Sequence, residues 1–125
     1  MAQRGSIGRV TDDDTPVIVL EIAGRKWAAI VDTGFNGDFE LPEMLRSLLP
    51  HERMGQTLSY LAGGQQILED AFLVEIPFDG EIVLAEISFV PGDQILIGTR
   101  VMRDHRFEID FPSQTLRLER AGEEP

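Results

Sequence analysis

An apolar strand that ends in an acid, a hydroxyl and a glycine is the most chemically suggestive stretch of this chain: Ile30-Val31-Asp32-Thr33-Gly34. A carboxylate on a tight loop at a strand end is a candidate general acid or base. Taken alone, the tripeptide is better read as an ordinary turn, because Asp, Thr and Gly are all common turn residues. Two elements downstream change that balance. Ala62-Gly63-Gly64 is a glycine turn flanked by strand-like segments, and Ile95-Leu96-Ile97-Gly98 is a second apolar strand that also ends in glycine. Each has a plain reading by itself, as a hairpin turn and as a core strand. The order of all three is what carries information.

Other candidates are weaker. Asp12-Asp13-Asp14 lacks the spaced ligands and glycine of a calcium loop, so a solvated turn is expected there. His51 and His105 are isolated from any zinc or nucleophile motif and are expected on the surface or in loops. Trp27 lies in a strand-like segment and is expected in the core. The chain has no cysteine, which removes disulfides, thiolate metal sites and cysteine nucleophiles together. Glycine-rich phosphate loops are absent.

The elements that would position Asp32 read as strands. Turn signals recur about every ten residues between stretches rich in Val, Ile, Leu and Phe, the pattern of a mostly β domain. Pro16 to Ile22 and Lys26 to Val31 form a hairpin around Ala23-Gly24-Arg25. Pro42 to Leu49 is a short helix candidate, with Met44, Leu45, Leu48 and Leu49 on one face. Gln56 to Leu61 and Gln65 to Ile76 make a long hairpin around Gly63-Gly64. Along its second arm Leu68, Phe72, Val74 and Ile76 share a face. Asp79-Gly80 is a strong two-residue turn into the strand Glu81 to Val90. Ile95 to Ile97, apolar on both faces, fits a buried central strand. Thr99 to Asp104 suggests a helical turn or two, and a last hairpin joins Phe107–Phe111 to Thr115–Glu119. The polar ends, Met1 to Arg9 and Ala121 to Pro125, are expected to fray.

The 125 residues imply one domain, 1–125, with a core from about 16 to 118. A hydrophobic fraction of 42% suffices for that core, and no apolar run has the length of a membrane span. The first residues lack the apolar centre of a secretory signal, so the expected compartment is the cytoplasm. A net charge of −11 repels phosphate backbones and argues against a nucleic-acid partner; its plain reading is solubility.

Acid loop, glycine-tipped hairpin, then apolar strand plus glycine: in this order and length the chain resembles the retropepsin-like aspartic proteases (clan AA). The resemblance spans about Pro16 to Leu118. It implies an all-β acid-protease barrel, one lobe per chain, with one or two short helices. It implies an aspartic endopeptidase that needs no cofactor and no metal. Peptide hydrolysis of this kind uses two carboxylates sharing one proton, one activating water and the other polarising the carbonyl. A chain of this length has a single Asp-Thr-Gly, so the family resemblance implies a homodimer in which Asp32 of each copy meets the other across a two-fold axis. Thr33 would brace the loop, and Gly34 would let backbone approach the substrate. Phe35, Ala62, Gly63 and Gly64 would join Gly34 in binding a peptide or protein, with Ala62-Gly63-Gly64 as the tip of a flap.

The chain departs from the family pattern twice. Phe35 stands where retroviral members carry Ala or Ser, as in bacterial and cellular Asp-Thr-Gly-Phe relatives, and Thr99-Arg100-Val101-Met102 lacks the usual Leu-Leu pair. Both bear on substrate preference. Two other readings stay open: the same fold serving as a peptide-binding or dimerisation module with weak or no hydrolysis, and an unrelated monomeric β-barrel.

Overall fold

A computed structural model describes residues 6–60 and 63–122. Among the described residues ten strands form one sheet: β1 Ser6–Val10, β2 Pro16–Ile22, β3 Arg25–Val31, β4 Phe39–Pro42, β5 Glu52–Tyr60, β6 Gln66–Phe78, β7 Glu81–Val90, β8 Ile95–Ile97, β9 His105–Asp110 and β10 Thr115–Arg120. Their spatial order is β5-β6-β7-β4-β8-β3-β2-β1-β10-β9. Among the described residues no helix is long and apolar enough to cross a membrane.

Local chemistry explains the hairpins. Ala23 and Gly24 both take positive φ, 53° and 76°, as do Asp79 and Gly80 at 52° and 77°. Two consecutive left-handed residues give the turn whose twist matches that of paired strands. The strands then alternate. Trp27, Ala29 and Val31 of β3 face inward, as do Phe72, Val74, Ile76 and Phe78 of β6. Burying each large apolar side chain contributes roughly 1.5–3 kcal/mol. The Trp27 indole keeps its N–H satisfied by donating to the Ile22 carbonyl at 3.3 Å. Phe39 and Phe78 meet edge to face, with centroids 5.7 Å apart.

The connection that matters most is a crossing. β8 pairs parallel with β3 (Ala29↔Ile95, Val31↔Ile97) and antiparallel with β4 (Phe39↔Ile97, Glu40↔Leu96). The chain leaving β3 at Val31 therefore returns as β4 on the far side of β8, and the intervening loop straddles the end of that strand. Ile95 and Ile97 are fully buried, and Leu96 on the other face is half-buried.

Several expectations need correction. Part of the N-terminal segment is a strand: β1 pairs with β10 (Ser6↔Leu118, Gly8↔Leu116) and with β2 (Arg9↔Val17). Gly8 makes this close fit possible, since a Cβ there would lie 2.1 Å from the Val17 carbonyl oxygen. Met1 to Gly5 and residues 123–125 lie outside the described residues. Ala121 is held, its N–H donating to the Asp104 carbonyl at 2.7 Å. The proposed helix at 42–49 is a single 3-10 turn, Glu43–Leu45, followed by turns. Of the four apolar residues expected on one face, Leu45 is fully buried, Leu49 packs against the core, and Met44 and Leu48 are exposed. Prolines at both ends leave too few residues to nucleate a longer helix. Residues 99–104 form successive turns.

His105 is not at the surface. Its side chain is 5% exposed and its Nε2 lies 3.1 Å from Oδ2 of Asp79, itself 3% exposed. The pair ties the β6–β7 turn to the start of β9. Asp12-Asp13-Asp14 does form an exposed turn, in which the Thr11 hydroxyl donates to Asp13 and the Thr15 N–H donates back to Thr11.

Candidate active-site loop

The loop between β3 and β4 is held from beneath by the residues that end β8. Asp32 N–H donates to the Ile97 carbonyl at 2.9 Å, and Gly98 N–H donates to the Asp38 carbonyl at 2.9 Å. Thr99 N–H reaches the Phe35 carbonyl at 2.8 Å and Arg100 N–H the Gly37 carbonyl at 3.1 Å. Asp38 adds a tie to β7, its Oδ2 accepting from Glu86 N–H at 2.9 Å. Gly98 has to be glycine: a Cβ there would sit 2.0 Å from the Gly37 carbonyl oxygen. This contact explains why an apolar strand must end in glycine directly under the acid loop.

Above this platform Asp32 is half-buried, and Thr33 and Gly34 are exposed. Oδ1 of Asp32 accepts the Gly34 N–H at 2.9 Å, which fixes the carboxylate against its own loop. A Cβ on Gly34 would stand 3.3 Å from that same oxygen. Phe35 is half-buried, and its ring lies where any Cβ on Gly37 or Gly98 would fall, at 2.7 and 2.9 Å. It braces the loop as well as bordering it.

The β5–β6 hairpin carries the glycine tip. Gly63 and Gly64 have φ of 89° and 84° with open space around them. Leu61 and Ala62 lie outside the described residues. Along the hairpin the two faces differ. Leu58 and Leu68 are 44% and 66% exposed, whereas Thr57, Ile67 and Glu69 on the opposite face are half-buried. The hairpin therefore shields the second face.

Glu40 is a residue the sequence reading missed. Within Phe39-Glu40-Leu41-Pro42 its neighbours are buried, and alternation puts Glu40 on the face away from the core. Leu96 lies beside it, with Ile30 beyond. Asp32 continues that face one residue past the end of β3. Burial pushes the Glu40 carboxyl up, and the charges of Glu69 and Asp32 push it further the same way. An acid between buried apolar residues, soon after the acid loop, is the signal that marks it.

This shift has a consequence for stability. A carboxyl harder to ionise folded than unfolded makes the native state hold more protons. Its contribution then falls as pH rises from the ordinary carboxylate range through the raised value. Glu40→Gln is expected to raise the melting temperature at neutral pH and to leave it unchanged at a pH below that range. Thermal melts across pH check this; an equal effect at both ends would mean that ionisation is not responsible.

A shallow groove of about 370 Å³ between β2 and the β6–β7 turn, lined by Val19, Glu21, Phe78 and Ile82 among others, includes none of the loop residues.

No family model matches the sequence, and no curated protein matches it. Among solved structures the chain is similar to a retropepsin-like aspartic protease from Rickettsia conorii, with a TM-score of 0.60 and 18% identity over 93% of this chain and 90% of that one. The likeness establishes the fold: one lobe of retropepsin-like architecture.

Proposed function

We propose that this chain is an aspartic endopeptidase that works as a homodimer, with one Asp32 from each copy at a shared two-fold axis. The observation that carries the proposal is the acid loop itself. A single carboxylate is pinned by the Gly34 N–H on a loop whose backbone is clamped from beneath by Ile97, Gly98 and Thr99, while Thr33 and Gly34 are exposed. The fold similarity to a named protease favours the same reading.

An isologous interface brings identical loops together. Two carboxylates at close range cannot both ionise cheaply, so one keeps the proton. The ionised Asp32 takes a proton from water as the water attacks the scissile carbonyl. The Asp32 of the second copy gives its proton to the carbonyl oxygen, forming a tetrahedral diol. Collapse of the diol returns a proton to the leaving amine. The peptide would lie extended, adding backbone hydrogen bonds to the flap hairpins and to the Gly34 region.

The expected result is a dimer by light scattering at micromolar concentration, together with endoproteolytic cleavage of a peptide library. A monomer at high micromolar concentration would count against the shared axis.

A further inference from the structure

We infer that Glu40 makes this site select lysine or arginine at the peptide positions nearest the scissile bond. The inference rests on the endopeptidase reading and deepens it.

The placement comes from the sheet register. Ile30, Leu96 and Glu40 are neighbours across β3, β8 and β4, on the face opposite the buried residues Val31, Ile97 and Phe39. Asp32 continues that face, and Glu69 of the flap hairpin lies close enough for its charge to act on Glu40. Glu40 thus lies on the floor between acid loop and flap, where an extended peptide would run.

Its chemistry points to a cation. Glu40 is half-buried, yet its side chain has no hydrogen bond or ion pair among the described residues. Arg46 pairs with Glu43, Arg53 with Asp70 and Arg100 with Glu86, none of them with Glu40. A carboxylate held out of water without a counter-charge is costly, and a ligand ammonium or guanidinium relieves that cost. Leu96 beside it and Ile30 beyond offer apolar contact to the methylene stem of such a side chain. The net charge of −11 draws cationic peptides toward the protein over a longer range. In a two-fold dimer the floor occurs twice, so the preference falls on both sides of the cut.

The test uses the full chain and paired peptides that differ only by lysine or norleucine at successive positions around one scissile bond. Cleavage and, for Asp32→Asn, binding by NMR titration are both read. Lysine is expected to be favoured by about 10- to 100-fold next to the bond. Glu40→Leu should cancel or reverse that ratio, and Glu40→Asp should retain part of it. Cleavage with no preference for lysine, or a preference that survives Glu40→Leu, would overturn the inference and leave the protease reading standing. Selective binding of lysine peptides through Glu40 without any cleavage would do the opposite. Neither binding nor cleavage of any peptide would overturn both.

Discussion

Asp32→Asn is expected to lower peptide hydrolysis by at least about 10⁴-fold, to the background of the assay, in a chain that still folds and associates. The substitution removes both functions assigned to the pair, because an amide neither takes a proton from water nor donates one as an acid. The local structure has little reason to change. Among the described residues Asp32 makes one side-chain hydrogen bond, from Gly34 N–H to Oδ1, and the asparagine oxygen accepts it equally well. Relief of repulsion between two acids at the axis would make the variant slightly more stable near neutral pH. Turnover on a peptide library, a thermal melt and light scattering on the same sample separate these effects. Wild-type turnover in the variant would end the catalytic assignment.

Gly98→Ala should be one of the most damaging small substitutions among the described residues. The new Cβ would meet two backbone atoms, the Gly37 carbonyl oxygen at 2.0 Å and its carbon at 2.7 Å. Backbone on both sides cannot yield as a flexible side chain does. Either β8 shifts out of register between β3 and β4, or the acid loop lifts and loses its bonds from Gly98, Thr99 and Arg100. The expected cost is about 3–5 kcal/mol, a loss of more than about 10 °C in melting temperature, and loss of any activity that depends on the loop. Gly24→Ala is the control, since nothing lies within 4 Å of a Cβ there and only its positive φ is strained. If both variants melted alike, the crossing beneath the loop would not be as tight as described.

The parts of the fold that could be read in advance were those whose residues leave one choice. Asp79-Gly80 selects a two-residue turn, and β6 alternates cleanly from Phe72 to Phe78. Ile95 to Ile97 is apolar on both faces because sheet neighbours flank it on each side. What escaped depended on partners far along the chain. β1 looks polar because Gly8 and Arg9 dilute its pattern, and its place is set by β10 and β2. His105 looks like a loop residue until the Asp79 turn covers it. The position of the loop at Asp32, Thr33 and Gly34 could be read from the sequence; the brace at Asp38 and the placement of Glu40 beside Leu96 could not. Both depend on where β7 and β6 return, and local sequence does not encode that.

The crossing of β8 also orders how the molecule comes together. The hairpins β2–β3 and β6–β7 join neighbouring segments and can close early, at a small loss of chain entropy. Val31 pairs with Ile97, and that pairing closes a far longer loop of chain. Pairings of such long sequence separation are slow and come late in folding. The platform that holds Asp32 is therefore expected to form late, so an incompletely folded or still-emerging chain would carry the acid without the loop's bonds to the end of β8.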